Sequence, residues 1–191
     1  MASTSPPQRW NRLSQMLHWL IALLILAMAA IGLIMVDLPN TPSKIAIFAI
    51  HKSIGISILA LVALRLGWRL YSGAPAPLAN TPKLQQRIAG AMHVALYVLL
   101  LAMPISGWLL NSAAGFPLQW FELVNLPAIS EPSDALKELA TRAHQLMFLA
   151  LAGLVLLHAA AAIHHHLFLR DATLVRMLPR GWLRHPNGED A

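Results

Sequence analysis

Imidazole is the side chain through which this sequence can do chemistry. His18, His51, His93, His144, His158 and His165 lie within or at the ends of long apolar runs, where an ionisable group is costly and is a functional candidate by default. Neutral imidazole ligates transition metals and, near neutral pH, gives and takes protons. His144 and His158 are 14 residues apart and His165 follows 7 later; at about 100° per residue these steps return to nearly one helix face. At a rise of about 1.5 Å per residue the first step spans about 21 Å, so the stripe sets its histidines at different depths. A lone histidine at a helix end is ordinarily interfacial, and His164, His166 and the tail residue His185 read that way. Six histidines sorted by depth do not.

The elements that must position them are membrane helices. Hydrophobic residues make up 57% of the 191 residues and charged residues 12%, against about a quarter charged in a soluble domain. Four apolar runs are long enough to cross the roughly 30 Å of a bilayer core. They cover about 16–36, 45–70, 88–110 and 141–169. Strand alternation is absent, and the predicted fold is all-α, an integral membrane four-helix bundle. Residues 1–15 form a polar lead-in, 16–170 the four-helix domain and 171–191 a basic tail. The linker Ser72 to Pro82 is rich in proline and glycine. The loop 111–140, with Trp120, Phe121 and several acids, leaves room for a short interfacial helix. The first run lacks a small-residue cleavage site after it and reads as a retained helix.

Charge sets the expected orientation. The net charge of +6 is spread between the apolar runs, a pattern that orients membrane helices and does not build a nucleic-acid-binding face. Arg9, Arg12, Arg65, Arg69, Lys83, Arg87, Arg170, Arg176, Arg180 and Arg184 share one side. Lys44, Lys52, Lys137 and Arg142 share the other with Asp37, Glu122, Glu131, Asp134 and Glu138. The positive-inside bias places both termini in the cytoplasm.

Depth then sorts the histidines into an outer layer, His51 and His144, and an inner layer, His18, His93, His158 and His165. An electron-transfer haem takes two axial ligands, and imidazole serves well. One pair per layer would hold two haems b between the helices, near enough to pass electrons. His51 and His144 are the only outer histidines. His18 with His158 is the expected inner pair, because His158 is the deeper of the two inner histidines on span four. The absence of cysteine excludes disulfides, thiolate ligation and iron–sulfur clusters. A metal-ion transporter is the competing use of intramembrane histidine, but it ordinarily wants carboxylates, and no Asp or Glu lies inside an apolar run.

Several segments together give the chain a family likeness. They are Leu17-His18-Trp19-Leu20, His51-Lys52-Ser53-Ile54-Gly55-Ile56, and Leu64-Arg65-Leu66 with Arg69. Next come Ala91-Met92-His93 before Tyr97, Met103-Pro104-Ile105-Ser106-Gly107 and His144. The series ends with His158-Ala159-Ala160-Ala161-Ala162, His165-His166, Asp171-Ala172-Thr173-Leu174 and Met177-Leu178-Pro179-Arg180. Over about residues 12–180 the chain resembles the bacterial cytochrome b561 family of small di-haem inner-membrane proteins, and most nearly its superoxide oxidase branch.

The resemblance implies two haems b with the same ligand pairs, His51 with His144 and His18 with His158. It also implies a ubiquinone site at the cytoplasmic end, for which His93 and His165 match by place. A quinone carbonyl needs a hydrogen-bond donor and its reduction needs protons; histidine supplies both. On this reading superoxide arrives from the periplasm, steered by Lys44, Lys52 and Arg142 at the outer ends of spans two and four. Arg65, 14 residues after His51, is a candidate partner for a haem propionate. The alternative reading is a quinol-linked relay that exchanges electrons with a periplasmic redox partner docked on the loop 111–140.

Overall fold

The computed structural model describes residues 9–78, 81–179 and 182; the first eight residues, Arg180, Arg184 and His185 lie outside that range. Four long helices dominate: α1 (Arg12–Asp37), α2 (Pro42–Ser72), α3 (Lys83–Ala113) and α4 (Asp134–His164). Each is long and apolar enough to cross a membrane. α1, α2 and α3 run past the ends of the stretches 16–36, 45–70 and 88–110, and the stretch 141–169 is shared between α4 and the π-turn His165–Leu169 that follows it.

Local chemistry sets the ends. Asn11 caps α1, its side chain accepting from the Ser14 N–H at 2.8 Å. The same oxygen accepts from Trp68 Nε1 at 3.0 Å, which ties the start of α1 to the end of α2. Pro42 opens α2, where its missing N–H costs nothing. Gly73 closes it at φ 73°, donating its N–H to the Arg69 carbonyl. Ser133 caps α4 and Asp134 sits in its first turn, favourable against the helix dipole. Pro104 lies inside α3, a break tolerated in a membrane helix when neighbours satisfy the freed backbone groups.

The loop after α3 corrects an expectation. It holds no interfacial helix but a two-stranded antiparallel hairpin, β1 (Leu118–Trp120) with β2 (Val124–Leu126), in register Leu118–Leu126 and Trp120–Val124. Three-residue strands cannot stand alone, and α2 supplies the support. Ser53 Oγ donates to the Gln119 carbonyl at 3.2 Å and accepts from the Phe121 N–H at 2.9 Å. Trp120 Nε1 donates to Ser57 Oγ at 3.0 Å. This anchoring holds Phe121 and Glu122 at φ 48° and 62°, a left-handed turn that bulky residues disfavour.

Close helix packing runs in chain order, α1 on α2, α2 on α3 and α3 on α4, without comparable packing of α4 on α1 or α2. The bundle is therefore loosest between α4 and the α1–α2 pair. Halfway along, Ile21, Ile58 and the fully buried Val62 form an apolar plug, flanked by Met28, Ile54, Tyr97 and Leu101. Many other large apolar side chains are exposed, as a lipid-facing surface requires.

Candidate functional site

The loose seam is where the histidines meet. At the hairpin end, His51 on α2 faces His144 on α4 with ring centroids 6.4 Å apart. At the end shared by the termini, His18 on α1 faces His158 on α4 at 6.2 Å. Along α1 the apolar cluster begins one turn after His18, at Ile21, and along α2 it begins two turns after His51, at Ile58. Two imidazoles on opposite sides of one iron, each nitrogen about 2 Å from it, set their centroids roughly 6 Å apart. Both pairs have that spacing.

The outer pair also shows why its rings sit as they do. Ser106 Oγ donates to the Met103 carbonyl at 2.7 Å and lies 2.9 Å from His144 Nδ1. The hydroxyl has one proton, already used, so His144 Nδ1 carries the hydrogen and leaves Nε2 with its lone pair. Such a partner orients a metal-ligating histidine and raises its basicity. Glycines make room for both rings. A Cβ at Gly32 would meet His51 Cε1 at 3.4 Å, and one at Gly107 would meet His144 Cε1 at 3.3 Å. His51 Nδ1 is buried without a protein partner among the described residues.

These features fit a haem. The macrocycle supplies four ligands and asks the protein for two, and the histidines come in facing pairs. No cluster of three or more His, Asp or Glu side chains converges on a metal position among the described residues.

The inner layer holds one surprise. His93 on α3 lies against His158 at 5.5 Å, so three rings meet where only His18 and His158 were expected to pair. His165 stands apart from that cluster. Its Nδ1 pairs with Asp171 Oδ2 and its Nε2 lies 3.0 Å from Gln85 Nε2 on α3. No direct contact joins His93 to His165 among the described residues.

Arg65 reaches the inner cluster's end of the bundle. Its Nε donates to Tyr97 Oη at 3.0 Å and its Nη1 to the Ser14 carbonyl at 3.4 Å. Arg69 lies over the faces of Trp10 and Tyr97, 5.4 and 5.7 Å from their centroids. Nearby, the segment after α4 docks on α1. Gln15 Nε2 donates to the carbonyls of Arg176 and Leu178 at 3.2 and 3.1 Å. Trp19 Nε1 donates to the Met177 carbonyl at 2.9 Å.

Lys44, Lys52 and Arg142, the three hairpin-side cations expected to steer superoxide, each have a partner. Lys44 Nζ donates to the Leu38 and Val36 carbonyls at 2.7 and 3.3 Å, closing the end of α1. Arg142 pairs with Glu138 one turn earlier, both exposed. Lys52, next to His51, donates to Asn111 Oδ1 at 3.1 Å and to the Pro117 carbonyl at 3.4 Å. Of the three, only Lys52 stands within a residue of an outer histidine.

Gly32, Ser106, Gly107, Gln85 and Asp171 surround these histidines although nothing in their residue types marks them. Ser106, Gly107 and Asp171 lie in segments that carry the family likeness. Gln85 and Gly32 carry no such signal, because only the packing of α3 on α4 and of α1 on α2 reveals them.

Comparison with known proteins agrees with the geometry. The family profile described as prokaryotic cytochrome b561 matches residues 9–180. Cytochrome b561 homolog 2 of Escherichia coli K12 is 34% identical over 185 residues, covering 93% of this chain and 95% of that protein. Cytochrome b561 homolog 1 of the same organism is 28% identical over 174 residues, covering 90% and 98%. A probable superoxide oxidase CybB of Yersinia pestis is 32% identical over 169 residues, covering 86% and 92%. A four-helix membrane electron-transfer protein of a haem b family, the chain belongs to the prokaryotic cytochrome b561 family.

Proposed function

We propose that this protein is a superoxide:ubiquinone oxidoreductase of the bacterial inner membrane, with both termini in the cytoplasm and the hairpin in the periplasm. The observation that carries the reading is the pair of facing histidine couples, at 6.4 and 6.2 Å, that join α4 to α2 and to α1. His51 and His144 would hold an outer haem b, and His18 and His158 an inner one. When bound, these groups supply one-electron transfer across the membrane. His93 also touches His158, but it does so from α3, which packs directly on α4 and leaves little room for a macrocycle between them. His18 approaches across the open seam.

The chain's own groups account for the rest. Ser106 fixes the His144 tautomer, and Gly32 and Gly107 leave space for the outer rings. Arg65 would pair a propionate at the inner level. Lys52 adds positive charge beside His51 on the side from which superoxide would come, with Lys44 and Arg142 as more distant contributors to the same field. Ubiquinone would bind near the termini, within reach of His93 and His165, whose ring nitrogens can meet its carbonyl oxygens and deliver protons. Two superoxide anions each give up one electron and leave as dioxygen, while one quinone gains two electrons and two protons. The likeness to a protein named a probable superoxide oxidase supports the choice of electron donor.

The test is quinol formation by the purified protein, reconstituted with ubiquinone and supplied with an enzymatic superoxide source. Formation of one quinol for every two superoxide anions oxidised supports the reading. If quinol alone reduces the protein and superoxide does not, the chain is a quinol-linked relay to a periplasmic redox partner.

A further inference from the structure

The turn that follows α4 has a construction that the electron path does not use. The helix ends in a π-turn over His165–Leu169, and Arg170 then takes a left-handed conformation at φ 52°. Single π-turns of this kind are frequent at functional sites. The reversal brings Asp171 back under His165, its backbone N–H donating to the His165 carbonyl at 3.1 Å. One carboxylate oxygen of Asp171 accepts from His165 Nδ1, and the other accepts from the Thr173 N–H at 2.8 Å. An ionised carboxylate can only accept, so His165 Nδ1 carries hydrogen. Nε2 then takes the Gln85 amide hydrogen at 3.0 Å. Asp171 remains partly exposed at the membrane edge, its side chain 27% accessible.

We propose that Asp171 is a positioning residue for proton delivery to quinone, holding the His165 ring so that Nε2 is directed toward Gln85 on α3. The proposal rests on the quinone reading given above. Gln85 marks the place on Nε2 that a quinone carbonyl oxygen takes. In each delivery the Nε2–H bond breaks, an O–H bond forms on the quinone, and the nitrogen keeps the electron pair. His165 then recovers a proton from water at the membrane edge. Two such deliveries accompany the two electrons that superoxide provides.

A purely structural role for Asp171 makes a different prediction, because asparagine also supports a turn through its side-chain oxygen. Asp171→Asn keeps that turn, and keeps an acceptor for His165 Nδ1, but removes the negative charge. The experiment mixes pre-reduced, haem-loaded full-length protein with a short-chain ubiquinone and follows haem reoxidation against quinone concentration. Asp171→Asn is expected to lower the saturating rate about 100-fold, the scale of lost general-acid assistance. The half-saturating quinone concentration and the haem spectrum should be unchanged, and Asp171→Glu should restore most of the rate. A wild-type rate in Asp171→Asn, with the rate lost in His165→Ala, overturns the relay and leaves the quinone site standing. A wild-type rate in His165→Ala overturns both. Haem loss in Asp171→Asn would show a structural role and also overturn the relay.

Discussion

Ser106 Oγ lies 2.9 Å from His144 Nδ1 and spends its own proton on the Met103 carbonyl. The serine is therefore an acceptor, and it fixes which nitrogen of His144 is free to ligate. Ser106→Ala should leave the fold intact and weaken retention of the outer haem roughly 10-fold. Haem titration of the purified protein checks this, and an unchanged outer-haem affinity would show that the serine has no role in ligation.

The ligand pairs make a plain stoichiometric prediction. His144→Ala should bind one haem per chain, and His165→Ala should bind two. Pyridine haemochrome content against protein concentration measures both. Two haems in His144→Ala would remove the outer assignment.

Gly107 faces the His144 ring closely enough that an added Cβ would sit 3.3 Å from Cε1. Gly107→Val must push that ring aside, at a cost of about 1–3 kcal/mol for overpacking. The variant should therefore lose the outer haem preferentially and melt earlier, as followed by haem absorbance on heating. Full haem content with an unchanged melting profile would mean that the ring has room the structure does not show.

Lys52 is held by Asn111 and Pro117 beside the outer pair. Lys52→Gln should slow the second-order reaction with superoxide a few-fold and flatten its dependence on ionic strength. Arg142→Gln, which breaks only an exposed pair with Glu138, should change it less. An equal effect of the two substitutions would point to a diffuse field instead of a local one.

Burial works against the Asp171 charge, but hydrogen bonds from Thr173 and His165 outweigh it and hold the carboxyl below its usual range. A depressed carboxylate contributes stability that is present above its unfolded pKa, about 3.9, and is lost as pH falls through the lower folded value. The turn 171–173 should therefore hold from about pH 5 upward and loosen only in acid. Hydrogen exchange across that segment, corrected for intrinsic rates, measures it; loosening at neutral pH would contradict the pairing.

The helices and the two histidine layers could be read from the chain because membrane spans and helical periodicity are both one-dimensional signals. His144 and His158 needed only a spacing of 14 to share a face. The hairpin could not be read, because its strands of three residues exist through Ser53 and Ser57, more than 60 positions away. The same holds for His93: depth placed it in the inner layer, but only the packing of α3 on α4 puts its ring against His158. The link between His165 and Asp171 depends on a π-turn and a left-handed arginine, for which the local residues carry no period.

Direct reduction by superoxide is what separates an oxidase from a quinol-linked relay. Stopped-flow mixing of the oxidised, haem-loaded protein with superoxide, following reduced-haem absorbance at several salt concentrations, tests it most directly. Reduction should approach the diffusion limit, of order 10⁸ M⁻¹s⁻¹, and slow at higher ionic strength. Slow or absent reduction by superoxide, in protein that quinol reduces readily, would contradict the oxidase reading.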